Sequence, residues 1–177
     1  MANWDIAYNW MMDDKDPRRA CAQVPDDCLG GVDGPCYAIS GINSGAWPAE
    51  FAAIAAADQA SREPLVQKFY QNHFWNMWLA QLNSDELCKR VFDFAVNGGS
   101  STSVHCLQQA VNSFTLSDPL VVDGEWGPKT VEATNTCNPL TLIAAFRQQR
   151  VAYHQAIVAA NPAKAKYLAA WIARAQK

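Results

Sequence analysis

Apolar residues recur every three to four positions along most of this chain, and that spacing limits it to a fold built mainly from helices. Prolines and glycines interrupt the pattern, which predicts helices over 4–12, 48–60, 64–82, 84–96, 104–114, 139–160 and 162–175. Tight turns are expected at 123–124 and 127–128, before a helix restarts at Thr130. The longest strand-like run is 120–122, so we expect an all-α fold.

The segment between residues 13 and 45 is the exception to this helical pattern. It is rich in glycine and proline, and it is too long for an idle connection, so we expect a functional loop with a minor β-hairpin. Three of the six cysteines lie in it: Cys21, Cys28 and Cys36. The other three are Cys88, Cys106 and Cys137. Disulfides are the preferred interpretation, and free buried thiols are the alternative. Without CxxC pairs or nearby histidines, a metal site is not expected.

Composition and charge exclude several classes of protein. Half of the 177 residues are hydrophobic and 18% are charged, which is typical of one globular domain rather than a disordered chain. A net charge of -3 disfavours nucleic acid as a partner. The longest apolar run, 51–57, is too short to insert into a membrane, and the N-terminus lacks the pattern of a signal peptide. We therefore expect a soluble protein made in the cytoplasm.

Three groups of motifs follow one another between residues 4 and 135: 36–40, then 69–75, then a set within 91–130. Their order resembles that in glycoside hydrolase family 108, the muramidase-type enzymes. The first group is Cys36-Tyr37-Ala38-Ile39-Ser40, which resembles the family's N-Y-G-I-[ST] element. The second is Phe69-Tyr70 followed by Phe74-Trp75. The third comprises 91–99, 107–111 and 122–130, and resembles the predicted peptidoglycan-binding region that is joined to the catalytic part of the family.

This resemblance implies a lysozyme-like fold with a catalytic lobe at 1–83 and a helical, peptidoglycan-binding lobe at 84–177, packed as one unit. It also implies hydrolysis of the glycan strand without a cofactor, and the bond expected to be cut is the one after N-acetylmuramic acid. The family's catalytic glutamate lies in an E-G-G-Y element at the end of helix one, and this chain lacks that element. Alignment of the helix ends places Asp13 or Asp14 there.

Breaking a glycosidic bond requires a protonated carboxyl group near the leaving oxygen and often a second carboxylate. Asp14, and then Asp13, are the predicted acids, because the helix dipole disfavours a negative charge at a C-terminal end. Asp33 is the preferred second carboxylate, with Asp26 and Asp27 as alternatives, and Glu50 is the next candidate acid. The remaining glutamates are interpreted as solvated: Glu63, Glu86, Glu125 and Glu132.

Residues that could contact the sugar come from the same motifs. They are Tyr37, Ser40, Trp47, Trp75, Asp93 and Asn97, and Trp126 is a further aromatic that could stack on a sugar. Three of these have structural alternatives: Trp75 as a core residue, and Asp93 with Asn97 as a hydrogen-bonded pair four residues apart. His73, His105 and His154 lie on separate predicted helices, which disfavours a catalytic triad.

The leading functional hypothesis is therefore a peptidoglycan hydrolase. It would be an antibacterial effector delivered by a type VI-like secretion system, act in the periplasm or cell wall of a target cell, and meet an immunity protein that occludes its cleft. A phage-type endolysin released by a holin is one alternative. Others are a binding module that holds peptidoglycan without cutting it, and a structural or inhibitor protein.

Overall fold

The computed structural model describes residues 1–28, 34–114 and 117–177. Two compact units contain them: the first is Trp4–Trp75, and the second is Asn76–Lys177 together with Met1–Asn3. Both units are mainly helical, and one small antiparallel sheet lies in the first. The predicted fold class is therefore confirmed, including the minor β-structure in the loop. Within the described residues, no helix combines the length and the apolar character needed to cross a bilayer.

The first unit surrounds its sheet with three helices. Its elements are α1 (Trp4–Lys15), β1 (Gln23–Asp26), β2 (Cys36–Ile39), β3 (Ile42–Asn43), α2 (Pro48–Ala56), a short 3₁₀ helix (Gln59–Ser61) and α3 (Arg62–His73). The strands are antiparallel in the order β1-β2-β3, with Val24 opposite Ala38 and Ile39 opposite Ile42. The buried residues Tyr8, Met11, Met12, Ile39, Ile42, Val66 and Tyr70 form the core.

The second unit contains only helices among its described elements. They are α4 (Met77–Ala80), α5 (Asp85–Gly98), α6 (Ser100–Asn112), α7 (Pro128–Thr136), α8 (Pro139–Ala160), a 3₁₀ helix (Pro162–Lys164) and α9 (Ala165–Ala175). Helices α5, α6 and α8 bury a core that includes Phe92, Leu107, Val111, Leu142 and Phe146. Ser84 caps α5, because its hydroxyl accepts a hydrogen bond from the Leu87 amide at 3.2 Å.

Two sequence predictions about the elements were wrong. The run at 120–122, the longest strand-like one in the sequence, forms no strand. The helix predicted over 64–82 is divided into α3 and α4. Asn76 causes the division, since its extended backbone and its side chain, which accepts hydrogen bonds from the amides of Trp78 and Leu79, begin a new helix.

The cysteine prediction is confirmed for one pair and corrected for the others. Cys28 is bonded to Cys36, whereas Cys21, Cys88, Cys106 and Cys137 are free. Cys88 and Cys106 lie in the helical core, where cysteine packs as a small apolar residue. Burial raises the pKa of Cys88 to about 12 and that of Cys106 to about 11. Both groups are therefore thiols at neutral pH.

We expect four thiols when the oxidised protein is denatured without reductant and titrated, because one of the three pairs that six cysteines allow is formed. The same titration after reduction should give six and serves as the control. In the native protein the buried thiols should react slowly, since the thiolate is the reactive form. A titration that finds two thiols or none would mean that further pairs form.

Candidate functional site

The carboxylates predicted as the acid lie at the exposed end of α1. The Asp13 side chain is 70% exposed, and its Oδ1 lies 3.0 Å from Nη2 of Arg19. Asp14 is also exposed. An ion pair with a guanidinium uses the charged carboxylate, whereas a general acid must carry a proton. Asp33, the predicted second carboxylate, lies outside the described residues.

Asp16, two residues after Asp14, carries a partly buried carboxylate. Asp16 accepts hydrogen bonds through Oδ1 from the Ala20 amide at 3.0 Å, and through Oδ2 from the Cys21 amide at 2.8 Å and the Ser40 hydroxyl at 2.7 Å. Burial opposes its charge, but the hydrogen bonds from Ser40, Cys21 and Ala20 outweigh burial and lower the pKa of Asp16. Asp16 is therefore a stable anion at neutral pH.

Glu63 adds a second carboxylate to the same group of side chains. The Tyr8 hydroxyl donates to Glu63 Oε1 at 2.8 Å, and Cys21 Sγ lies 3.2 Å from Oε2. Cys21 Sγ also lies 3.5 Å from the Ser40 hydroxyl, so Cys21 and Ser40 connect the two carboxylates. We call Tyr8, Asp16, Cys21, Ser40 and Glu63 the Asp16–Glu63 cluster.

The backbone conformation of two cluster residues and the protonation state of two of its side chains both bear on how the cluster is held together. Cys21 and Ser40 each have a φ of 48°, a left-handed conformation that is uncommon for residues other than glycine. Burial, together with the bond to Glu63, raises the pKa of Tyr8, and burial raises the pKa of Cys21 to about 11. Both groups therefore keep their protons and remain donors to the carboxylates.

The residues predicted to contact a sugar are separated in the structure. Ser40 is buried and belongs to the Asp16–Glu63 cluster. Tyr37 is half-buried in β2, and Trp75 packs edge-on against Trp4 with ring centroids 5.4 Å apart. Trp47 lies 4.6 Å from His73 between ring centroids, and Glu50 Oε1 lies 3.4 Å from His73 Nε2. Thus the structure brings Trp47 together with Glu50, the alternative acid.

Asp93 and Asn97 form the hydrogen-bonded pair that was the structural alternative. The Asn97 amide donates to the Asp93 carbonyl at 2.6 Å and to its carboxylate at 3.1 Å. The Asp93 side chain is fully buried and is paired with Arg150 and Arg174. Asp93 is therefore inaccessible to a glycan in this structure, and its contacts give it a structural role.

A groove of about 710 Å³ lies in the second unit, around the two turns that precede α7. Its polar and aromatic lining residues are Gln108, Asp118, Asp123, Glu125, Trp126, Lys129, Thr130 and Glu132. Trp126 is half-buried, so part of its ring faces solvent. Sequence analysis identified Trp126 and the turns, but it placed Glu125 and Glu132 among the merely solvated residues.

Gln108 holds the rim of this groove in place. Its buried side chain donates to Asp123 Oδ1 at 2.8 Å and to the Glu125 carbonyl at 3.1 Å, and accepts from the Gly124 amide at 2.9 Å. The side-chain amide of Gln108 thus forms hydrogen bonds with three groups of the turn, which lies 15 to 17 residues later in the chain. These contacts give the turn an architectural role.

Gly124→Val should lower the free energy of unfolding by about 3 kcal/mol, which corresponds to a fall in Tm of roughly 6–12 °C for a chain of this length. Gly124 has a φ of 74°, and an added Cβ would lie 2.5 Å from the Ser101 hydroxyl and 2.8 Å from the Ser101 carbonyl oxygen. Gly127→Ala is the matched control, since nothing lies within 4 Å of its added Cβ. Unchanged stability with lost wall binding would instead assign Gly124 to recognition.

Within the described residues, no group of His, Cys, Asp and Glu side chains could hold a metal ion. Both units bring carboxylates, hydroxyls and aromatic rings close together. In the first unit these groups form the Asp16–Glu63 cluster, and in the second they line the groove.

Comparison with known proteins bears on the second unit. Residues 102–176 match the model of a family described as "Predicted Peptidoglycan domain". The match contains α7, α8, α9 and every groove residue. It includes none of the first unit, so the resemblance of that unit to glycoside hydrolase family 108 stays a prediction. No curated protein matches the chain. The chain thus contains a region similar to a peptidoglycan domain, which supports an association with peptidoglycan.

Proposed function

We propose that the protein binds peptidoglycan through the groove of the second unit. The observation that carries this proposal is the position of the groove, whose lining residues all lie within the segment similar to a peptidoglycan domain. A volume of about 710 Å³ is within the usual range for a ligand site. Trp126 supplies an aromatic surface on which a sugar ring can stack, and Asp123 and Glu125 supply acceptors for hydroxyl and amide groups.

Trp126→Ala should weaken binding to purified sacculi about 30-fold, since truncating a tryptophan anchor costs about 2 kcal/mol. The measurement is the fraction of protein that sediments with sacculi at increasing sacculus concentration. Leu140→Ala is the control, because Leu140 is 78% exposed in the same unit and does not line the groove. If both variants bind as the unmodified protein does, the peptidoglycan surface lies elsewhere.

Hydrolysis of the glycan strand is the second candidate function, and the Asp16–Glu63 cluster favours it. Glycosidases need one carboxyl group that donates a proton to the leaving oxygen and a second, charged carboxylate. Asp16 suits the charged role, since its hydrogen bonds stabilise the anion. Glu63 is then the proposed proton donor. To do so it must first carry a proton on Oε2, in place of the hydrogen bond from Cys21, while Oε1 still accepts from Tyr8. The protonated Glu63 would then protonate the glycosidic oxygen while Asp16 stabilises the developing positive charge or activates water.

Released sugar fragments distinguish cutting from binding alone. Incubation with purified peptidoglycan should lower turbidity, and mass spectrometry of the soluble products should identify the broken bond. Cleavage after N-acetylmuramic acid would support the muramidase-type assignment. Sedimentation with sacculi without soluble products would favour the binding module.

Delivery as a type VI-like effector, with action in the periplasm or cell wall and an immunity partner that covers the cleft, remains a proposal that depends on hydrolysis. The Cys28–Cys36 disulfide supports it, because disulfides persist in oxidising compartments. A neighbouring gene for a small exported protein that inhibits the hydrolase in a stoichiometric titration would support the immunity partner. The phage-type alternative requires a neighbouring holin gene instead.

A further inference from the structure

We propose that the groove recognises a positively charged amino group of peptidoglycan rather than the neutral sugar alone. This inference rests on the proposed function and names the ligand chemistry of the same groove. Its lining carries four carboxylates, those of Asp118, Asp123, Glu125 and Glu132. Among the described residues that line it, Lys129 is the one cation. The groove therefore carries an excess of three negative charges.

Two basic side chains lie near these carboxylates, Lys129 in the lining and His105 near Asp123, and among the described residues neither forms an ion pair with them. No described lysine or arginine forms an ion pair with Asp118, Glu125 or Glu132, and the hydrogen bonds of Asp123 are to the Gln108 amide and the Glu125 backbone amide. Those two hydrogen bonds lower the pKa of Asp123, so it stays charged at neutral pH. An ammonium group entering the groove would meet uncompensated negative charge.

Trp126 strengthens the case for a cation. It lines the groove and is half-buried beside Glu125, which places an aromatic ring next to the carboxylates. Aromatic faces attract ammonium groups, and tryptophan does so best. The same ring can stack on the apolar face of a sugar, so one residue can contact both the glycan and an amino group attached to it. Phosphate-bearing wall polymers would be repelled by this lining.

Two parts of peptidoglycan carry such an amino group. One is the side-chain amine of the dibasic residue in a stem peptide that is not cross-linked, and the other is a glucosamine that has lost its acetyl group. Both present a primary ammonium group, which is the chemistry shared by the two sources. Fully acetylated, peptide-free glycan lacks it.

Calorimetric titration of the full chain with four soluble fragments tests the inference. The fragments are a disaccharide with a stem peptide whose side-chain amine is free, the same compound with that amine acetylated, a peptide-free acetylated glycan, and the same glycan with free glucosamine amines. A free amine should improve affinity about 10-fold or more in at least one matched pair. The pair that responds identifies the source of the amine.

Variants assign the effect to the groove. Glu125→Gln and Glu132→Gln keep the size of the side chains and remove the charge, so both should reduce the preference for the free amine. Asp5→Asn removes an exposed carboxylate outside the groove and should leave the preference unchanged. Equal affinity for free and acetylated amines overturns this inference while leaving peptidoglycan binding intact. Absence of binding both to all four fragments and to sacculi overturns the proposed function itself.

Discussion

Asp93→Ala should lower the free energy of unfolding by about 3–5 kcal/mol, because it leaves buried arginines without their counter-charge. Asp93 is fully buried, and its carboxylate accepts from Arg174 Nη2 at 2.5 Å and from Arg150 Nη2 at 3.2 Å. Arg150 is itself 1% exposed, so its burial keeps bulk water from replacing the lost partner. Thermal or urea unfolding followed by circular dichroism measures the change.

A compensated variant separates charge loss from cavity formation. Asp93→Leu combined with Arg150→Met removes both charges and replaces them with apolar side chains, so it should recover part of the stability that Asp93→Leu alone loses. Arg174→Gln should cost less than Asp93→Ala, since the Arg174 side chain is 25% exposed and Arg150 still pairs with Asp93. An Asp93→Ala protein as stable as the unmodified one would mean that the arginines rearrange to reach solvent.

The ion pairs of Asp93 with Arg150 and Arg174 could be predicted only in part from the sequence. The spacing of Asp93 and Asn97 predicted a pair on one helix face, and the structure confirms their hydrogen bonds. Arg150 and Arg174 lie 57 and 81 residues further along the chain. No local pattern connects residues so distant, and therefore the burial of Asp93 could not be foreseen.

The helices and the sheet differ in the same way: local sequence patterns predict the helices, whereas the strand β1 has no such pattern. Long helices such as Pro139–Ala160 follow from a sustained apolar period and an asparagine cap, both of which are local signals. β1 is four exposed residues that include Pro25, so it has neither an apolar alternation nor a favourable composition. Its end is held beside β2 by more distant residues, through the Cys28–Cys36 disulfide and a hydrogen bond that the Asn43 side chain donates to Asp26 at 2.9 Å.

The two candidate sites also differ in how far local sequence predicts them. The turns at Gly124 and Gly127 were predicted from glycine and proline, and they form the rim of the groove. The Asp16–Glu63 cluster draws its side chains from α1, the following loop, the β2–β3 turn and α3. Glu63 was interpreted as a surface residue, because nothing in the spacing of α3 indicates that Tyr8 and Cys21 lie against it.

If the first unit hydrolyses peptidoglycan, Glu63→Gln should reduce the rate of sugar release about 10²–10⁴-fold, the usual contribution of a general acid. Glutamine retains an oxygen that can accept the Tyr8 hydrogen bond, now 2.8 Å long, but it cannot donate an acidic proton. We expect little change in Tm for the same reason. Rates are measured on purified peptidoglycan by mass spectrometry of the soluble products.

Asp14→Asn and Asp13→Asn are the matched controls, and they also test the sites first suggested by the helix-end alignment. Both aspartates are exposed, whereas Glu63 is partly buried and is held by Tyr8 and Cys21, so both variants should keep most of the activity. A loss confined to Asp14→Asn would return the proton donor to the end of α1. If all three variants cut as fast as the unmodified protein, the donor is Glu50 or another carboxylate. If the unmodified protein releases no sugar yet sediments with sacculi, the chain binds peptidoglycan without cutting it, because the groove does not depend on the carboxylates of the first unit.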